Sequence, residues 1–368
     1  MKIATITFHR ALNYGAVLQT YALQKTLENM GHEVEVLDYR SDFIEKHYKR
    51  KTLKEILSIR QIAIIILLNG YSISDRSDFI NFSRNNIKIS DKKLTKDNIH
   101  LVNKEYDLFI VGSDQVWNYN TAGFDTTYFL DFVSNNNKKN SYAASLGIEH
   151  IPQEYRAKYK DLLINYNNIS VREDQGRKEL SQLLNRNDIE TVLDPTLLLD
   201  KTQWEKLEKE IEVPEKYVLV YLLAENRKIF NFAKKLAKEN KCKIIYINDR
   251  LFKKAGMINQ RHVSPEEWLY LFRNANYIVT NSFHGTAFSI LLNKIFWTNY
   301  LPGSSNVNSR ILNLLSKLKL EDRIIDDGAS IDDTIIDYSI VNSLLNIERE
   351  KSLKYIVNMT NHYNMEEE

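Results

Sequence analysis

The segment 277–292 places an imidazole where an apolar strand leads into a helix. Residues 277–280 predict a buried strand and 285–292 a helix, with a polar turn at 281–284 between them. Backbone N–H groups and the positive end of the helix dipole favour an anion at such an N-terminus. The turn therefore predicts a phosphate-binding site formed by Ser282, His284 and Gly285. The alternative is plain helix capping, because Ser and Asn are ordinary N-caps and a neighbouring His is often only a satisfied polar group.

The charges around this turn favour the anion. No Asp or Glu occurs between Trp268 and Leu320, although the chain contains 48 of them. The basic groups of the span are Arg273, His284, Lys294, Arg310, Lys317 and Lys319. A span that is free of carboxylates and carries several cations attracts a compact negative ligand.

The first half of the chain predicts the sheet that would face this turn. A strand at 2–8, a helix at 16–30 and a strand at 33–37 form a βαβ beginning, and further strands are predicted at 107–111, 140–145 and 168–171. Polar clusters follow three of the predicted strands, at 13–15, 112–117 and 170–173. Since open parallel sheets bind ligands outside the carboxyl ends of their strands, these clusters should converge.

The second half repeats the alternation after a crossover at 191–196, where Asp194-Pro195 breaks regular structure. Strands are predicted at 217–223, 243–247, 277–280 and 295–299, with helices at 228–239 and from Ser264, where a capping sequence begins. We therefore predict an α/β protein with two Rossmann-like domains facing a cleft. The predicted units are 1–190, 191–336, and one or two C-terminal helices within 337–368 that pack back on the first domain.

Composition limits the class of protein. A length of 368 residues suits two domains, and the net charge of +2, without a basic tract, argues against nucleic-acid binding. The single cysteine, Cys242, excludes a disulfide framework, and the scattered histidines show no metal-ligand spacing. The apolar run at 1–8 is too short for a signal peptide, which predicts a cytoplasmic location.

One segment has two interpretations. Residues 44–68 are basic and end in an apolar run. Such a stretch can lie against the inner face of a membrane as a peripheral contact. The alternative is a surface helix followed by a buried one.

Six motifs occur in order along the chain, at 13–19, 107–117, 142–147, 170–172, 193–195 and 281–285. Together they resemble the polysaccharide pyruvyltransferase family over roughly residues 1 to 320. The resemblance implies two Rossmann-like domains similar to the GT-B glycosyltransferase fold. It also implies transfer of pyruvate from phosphoenolpyruvate to two hydroxyls of one sugar, giving a cyclic ketal in a surface or exopolysaccharide precursor.

The resemblance also implies functional residues. The family's functional Arg falls on Arg172 and its functional His on His284, while the Lys that some members carry further on has no equivalent at 301–310. We assign Arg310 to that third basic role. The co-substrate implied is phosphoenolpyruvate, with no other cofactor and no metal, because Arg and helix termini can neutralise phosphate.

The chemistry suits these residue types. Arg offers a planar fork of donors to phosphate or carboxylate, and an imidazole can protonate the enol carbon. Phosphoenolpyruvate binding is assigned to Arg172, Ser282, His284, Gly285 and Arg310. Catalysis is assigned to His284, Arg172 and Asp114.

The acceptor, a sugar or a lipid-linked oligosaccharide, is assigned to the first domain. Amides and carboxylates bind hydroxyl groups, and aromatic faces stack on sugar rings. The acceptor residues predicted on this basis are Asn13, Tyr14, Asp114, Gln115 and Trp117. Trp117 has the alternative of a core aromatic, and Asp114 that of a helix cap.

Two other functions remain open. A GT-B nucleotide-sugar glycosyltransferase would commonly hold ribose with a carboxylate in the second domain, and the acid-free span speaks against one. A non-catalytic, partner-coupled module is the second alternative. The presence of both Arg172 and His284 favours an enzyme.

Overall fold

The computed structural model describes residues 1–44, 76–121, 123–248, 253–301, 305–325 and 335–365. The predicted membrane contact at 44–68 lies outside these residues, apart from Ile44, and stays a prediction. Within the described ranges, none of the helices has the length and apolar character needed to cross a membrane.

The first half forms a parallel sheet in the strand order β2-β1-β3-β4. Its elements are β1 (Lys2–Ile6), α1 (Tyr14–Asn29), β2 (Glu33–Val36), α2 (Arg76–Asn86), β3 (Leu108–Val111), β4 (Lys139–Ser141), α3 (Gln153–Leu163), β5 (Ser170–Val171), α4 (Asp174–Leu184) and β6 (Glu190–Thr191). β5 and β6 pair with each other and extend the sheet through single bridges from Asn168 and Val171 to the chain around β4. All four residues of β3 are buried, as expected for a central parallel strand covered on both faces.

The second half forms a five-stranded parallel sheet in the order β11-β10-β7-β8-β9. Its elements are α5 (Lys201–Glu205), β7 (Tyr217–Tyr221), α6 (Arg227–Glu239), β8 (Lys243–Ile247), β9 (Ile258–Gln260), α7 (Pro265–Asn274), β10 (Tyr277–Thr280), α8 (Phe283–Leu291), β11 (Ile295–Thr298), α9 (Ser305–Leu318) and α10 (Tyr338–Met365). The predicted capping sequence opens α7, where Ser264 Oγ accepts from Glu267 N at 3.2 Å.

Several strands are shorter than predicted, and two of them keep no more than half of their predicted residues. The predicted strand at 140–145 ends at Ser141, because Ala143 has a φ of 53° in the left-handed region and turns the chain. The predicted strand at 168–171 keeps only Ser170 and Val171. The first change lies at the carboxyl edge of the sheet, where the chain leaves to carry polar residues. The second lies at the amino end of its strand, where Asn168 keeps a single bridge to Asn140.

The C-terminal region is a single helix, α10, that contacts both halves of the chain. The Tyr355 hydroxyl donates to Ser141 O at 3.0 Å, and the Ser352 hydroxyl accepts from Leu193 N at 2.9 Å. At its start, the Tyr338 hydroxyl donates to Lys294 O beside the second sheet. α10 therefore ties the carboxyl edge of the first sheet to the second half.

The two halves also meet through α1 and α7. The ring of Tyr14 stacks on Trp268 with centroids 5.5 Å apart, and its hydroxyl donates to Val263 O at 2.8 Å. This contact brings the N-terminus of α1 against the second half, where the candidate site lies.

Candidate active site

The turn between β10 and α8 is built by local capping. Ser282 is the N-cap of α8, and its Oγ accepts from Gly285 N at 3.3 Å. The helix begins at Phe283, so Phe283 and His284 lie in its first turn rather than in the predicted loop. Gly285 packs so closely that a Cβ there would lie 2.4 Å from Thr280 Oγ1. A larger residue here would force the Thr280 side chain to move.

Arg172 lies directly after β5 and is buried, with 3% of its surface exposed. Its Nη1 donates to Asp194 Oδ2 at 2.7 Å, and its guanidinium lies 4.4 Å from the centre of the Phe283 ring. Nε and Nη2 have no hydrogen-bond partner in the described part of the chain. A buried, unpaired donor is costly, so these atoms indicate a site for an acceptor from outside the chain.

Asp194 is the buried carboxylate that organises the cations. Its Oδ2 accepts from Ser113 Oγ at 2.8 Å as well as from Arg172, and its Oδ1 accepts from the backbone and the hydroxyl of Thr196 at 3.0 and 2.7 Å. Burial alone would raise the pKa of Asp194, but the charges of His284 and Arg172 and the hydrogen bond from Thr196 hold that pKa well below its ordinary range. Asp194 is therefore a carboxylate near neutral pH.

The sequence did not single out Asp194 as a functional residue. The sequence predicted a crossover between the two domains at this position, because Asp-Pro interrupts regular structure. Its place in the Leu-Asp-Pro motif was the one signal that could have marked it.

His284 lies between the two halves of the chain. Its Nε2 is 3.5 Å from Asp194 Oδ2, too poorly placed for a hydrogen bond, and has no hydrogen-bond partner among the described residues. On the other side of the ring, a Cβ placed on Gly15 would lie 1.9 Å from Nδ1. Gly15, in the first turn of α1, thus allows the first half to approach the imidazole.

Arg310, on α9, adds a second buried guanidinium to the site. Burial and the nearby charge of Arg172 lower the pKa of Arg310 to about 10. The pKa of Arg172 is raised instead. Burial alone would lower it, but the negative charges of Asp194, Asp114 and Glu173 outweigh that effect. Two like charges held this close favour a bound anion between or beside them.

A small cavity of about 60 Å³ brings the predicted residues of both halves together. Its lining includes Asn13, Asp114 and Gln115 from the first half and Ser282, Phe283, His284 and Arg310 from the second. Arg172 lines an adjoining crevice that shares Phe283 and Arg310 with this cavity. The space matches a phosphate-sized group and is much smaller than the roughly 300–1,000 Å³ of pockets that enclose drug-sized ligands.

Asp114 lies where the two halves meet. It has a φ of 80°, unusual for a residue other than glycine, and strained backbone of this kind is often found at functional sites. Its Oδ1 accepts from Gln115 N at 2.8 Å and lies 4.0 Å from Arg172 Nη2. The predicted alternative, a cap on a regular helix, is wrong, because no helix starts at 114.

Two acceptor predictions need correction. The Trp117 ring is fully buried, stacks on Phe129 at 5.9 Å, and donates from Nε1 to Tyr128 O at 3.1 Å. Tyr14 is buried against Trp268, as described above. Both rings hold the core together and offer no free face to a sugar, because apolar packing consumes their surfaces.

Glu173, beside Arg172, holds a loop in place. Its Oε1 accepts from Ser145 Oγ at 2.9 Å, Leu146 N at 3.0 Å and Gly147 N at 3.4 Å. These bonds fix the 142–147 motif against α4. Within the described residues no group of three His, Cys, Asp or Glu side chains could hold a metal ion, and independence from metal stays a prediction.

Comparison with known proteins bears on both family and fold. A family model described as polysaccharide pyruvyl transferase matches residues 13–297. No curated protein sequence gives a significant match. Among solved structures, the UDP-GlcNAc 2-epimerase from Methanocaldococcus jannaschii is similar with a TM-score of 0.52 and 13% identity, covering 98% of this chain and 100% of that one. The UDP-GlcNAc 2-epimerase from Neisseria meningitidis has a TM-score of 0.48 and 10% identity, covering 98% and 100%. The predicted fold is confirmed: α/β, with two Rossmann-like domains in a GT-B-like arrangement.

Proposed function

Because this chain belongs to the polysaccharide pyruvyl transferase family, we propose that it moves pyruvate from phosphoenolpyruvate to a sugar of a surface-polysaccharide precursor, forming a cyclic ketal and releasing phosphate. The observation that carries the proposal is the set of buried, unpaired donors on Arg172 and His284 beside a phosphate-sized cavity. Phosphoenolpyruvate is a compact anion with a phosphate and a carboxylate, which such donors bind.

Several positive groups bind the anion, each from a different side. Arg172 keeps Nη1 on Asp194 and presents Nε and Nη2, a planar pair that suits two oxygens of one phosphate or carboxylate. Arg310 and the N-terminus of α8 at Ser282 add positive potential from the second half. This combination holds a doubly acidic ligand without a metal ion.

His284 supplies the proton that starts the reaction. Protonation at C3 of the enol gives an oxocarbenium-like C2, which one sugar hydroxyl attacks while Asp114 accepts its proton. Phosphate then leaves C2 with the proton held by Asp114. The second hydroxyl attacks the resulting oxocarbenium-like centre to close the ketal, and its proton returns to the imidazole of His284. Asp194, 3.5 Å from the His284 Nε2, stabilises the protonated imidazole while also orienting Arg172.

The nucleotide-sugar alternative has less support from the site. Among the described residues that line the cavity, Asp114 is the one carboxylate, and it comes from the first half rather than the second. The cavity of about 60 Å³ also leaves little room for a nucleotide. A non-catalytic module would have no use for a buried His and Arg with unpaired donors, since these cost stability.

The test is phosphate release from phosphoenolpyruvate in the presence of a glycan panel, free and lipid-linked, with a matching mass gain on the glycan. Arg172→Lys keeps the charge beside Asp194 but loses the fork, and His284→Asn loses the proton; each should reduce turnover by about 10²-fold or more. Arg177→Lys, on the exposed face of α4, is the matched control. Calorimetric binding of a UDP-sugar without binding of phosphoenolpyruvate would favour the glycosyltransferase instead.

A further inference from the structure

A second cavity opens directly beside the anion cavity. It holds about 320 Å³ and shares three lining residues with the first: Asn13, Asp114 and Gln115. The rest of its described lining comes from the first half: Phe8, Ala11, Ala16, Phe43, Ile44, Asn120 and Thr121. Asp114 therefore stands at the junction, with the anion cavity on one side and a larger space on the other.

One wall of this cavity is an exposed aromatic ring. Phe43 has 43% of its surface exposed, which is unusual for a phenylalanine. Its ring lies tightly on the backbone of Gly123, where an added Cβ would come within 2.6 Å of Cδ2. A ring supported on one side by backbone and open on the other is a fixed platform for an apolar face.

The other walls carry hydrogen-bonding groups without positive charge. Asn13, Gln115, Asn120 and Thr121 contribute amides and a hydroxyl, and Asp114 a carboxylate. Gln115 is held in place, since its Oε1 accepts from Asn118 Nδ2 at 2.8 Å. Among the described lining residues there is no Lys, Arg or His, so an acidic ligand would meet only like charge here.

We propose that this second cavity is the acceptor subsite and that it takes one uncharged hexopyranose ring, stacked on Phe43. The proposal rests on the proposed function and adds the class of acceptor. A hexopyranose has apolar C–H faces for the ring and hydroxyls for the amides. Its two reacting hydroxyls point past Asp114 toward the anion cavity. The described lining carries the Asp114 carboxylate and no cation, which disfavours a sugar that bears a carboxylate.

The decisive experiment separates the subsite from the reaction. Binding of methyl hexopyranosides of glucose, galactose and mannose is measured by saturation-transfer NMR with inorganic phosphate present, and methyl glucuronide serves as the acidic counterpart. We expect at least one neutral glycoside to bind and the glucuronide not to bind. Phe43→Ala should weaken that binding at least tenfold, and Phe43→Trp should restore it.

Leu101→Ala is the control, because Leu101 is an exposed apolar residue with 63% of its surface accessible on the segment Ile99–Lys104. It should leave binding unchanged. In turnover, Phe43→Ala should raise the acceptor KM at least tenfold and leave the KM for phosphoenolpyruvate within twofold.

The outcomes distinguish the two proposals. If glycoside binding depends on Phe43 but phosphoenolpyruvate is never turned over, the proposed subsite would stand and the proposed pyruvyl transfer would be wrong. Normal turnover with an acceptor KM insensitive to Phe43→Ala would reject the subsite and keep the reaction. Preference for the glucuronide would also overturn the proposal.

Discussion

Replacing Gly15 by alanine tests whether the two halves of the chain meet at a working imidazole. The added Cβ would lie 1.9 Å from His284 Nδ1 and 2.4 Å from Cγ, whereas real Cβ contacts essentially never fall below 3.0 Å. The imidazole must therefore move by about 1 Å or more, or α1 must retreat from α8. Gly15 has no positive φ, so alanine fits its backbone and favours the helix by up to about 1 kcal/mol.

We expect the Gly15→Ala variant to fold normally but to lose most of its catalytic rate. A displacement of about 1 Å of a catalytic group costs on the order of 10²-fold in rate, equivalent to about 2.7 kcal/mol of barrier. We expect Gly15→Ala to reduce phosphate release from phosphoenolpyruvate by about that factor. Thermal unfolding should show little loss of stability, which separates a displaced imidazole from a damaged fold.

A matched substitution controls for the alanine itself. Gly176 lies in α4, where an added Cβ would be 3.4 Å from Glu173 Oε1, an ordinary contact. Gly176→Ala should keep wild-type turnover. If Gly15→Ala also turned over at the wild-type rate, with an unchanged KM for phosphoenolpyruvate, the contact between Gly15 and His284 would have no part in the working site.

Three further predictions follow from the site. Inorganic phosphate at about 100 times its Kd should stabilise the wild type by about 2.7 kcal/mol; Arg172→Lys should lose that protection and Arg177→Lys keep it, and equal protection in both would argue against the guanidinium fork. Asp194→Asn breaks a buried ion pair and should cost about 3–5 kcal/mol in denaturant unfolding. Because folding lowers the pKa of Asp194, its stabilisation is present above the unfolded value of about 4 and is lost as pH falls below it, so the variant's stability should depend less on acid, and a parallel acid limb would contradict this. Trp117→Phe should cost about 1–3 kcal/mol of stability and leave the acceptor KM unchanged, whereas a raised KM with unchanged stability would return Trp117 to the acceptor site.

Much of the fold could be predicted from local pattern. The strand at 277–280 and the capped start at Ser264 lie where the sequence predicted them, because apolar period and capping chemistry act within a few residues. The convergence of Asn13 and Asp114 on one cavity was also predictable, since parallel strands send their carboxyl ends to the same edge. His284 follows a strand of the other sheet and reaches this cavity because the two halves face each other.

Tertiary structure alone decided which polar and aromatic residues face the cavity. From the sequence, Asp194 was predicted to be a break between domains, yet the folded chain buries it between Arg172 and His284. Trp117 was predicted to stack on a sugar, with a core position as the alternative, and it is buried in the core. The same holds for Gly15, whose missing side chain matters only because His284, far away in sequence, packs against it. Residue type sets what a group can do, whereas long-range packing sets what it touches, and no local pattern encodes that contact.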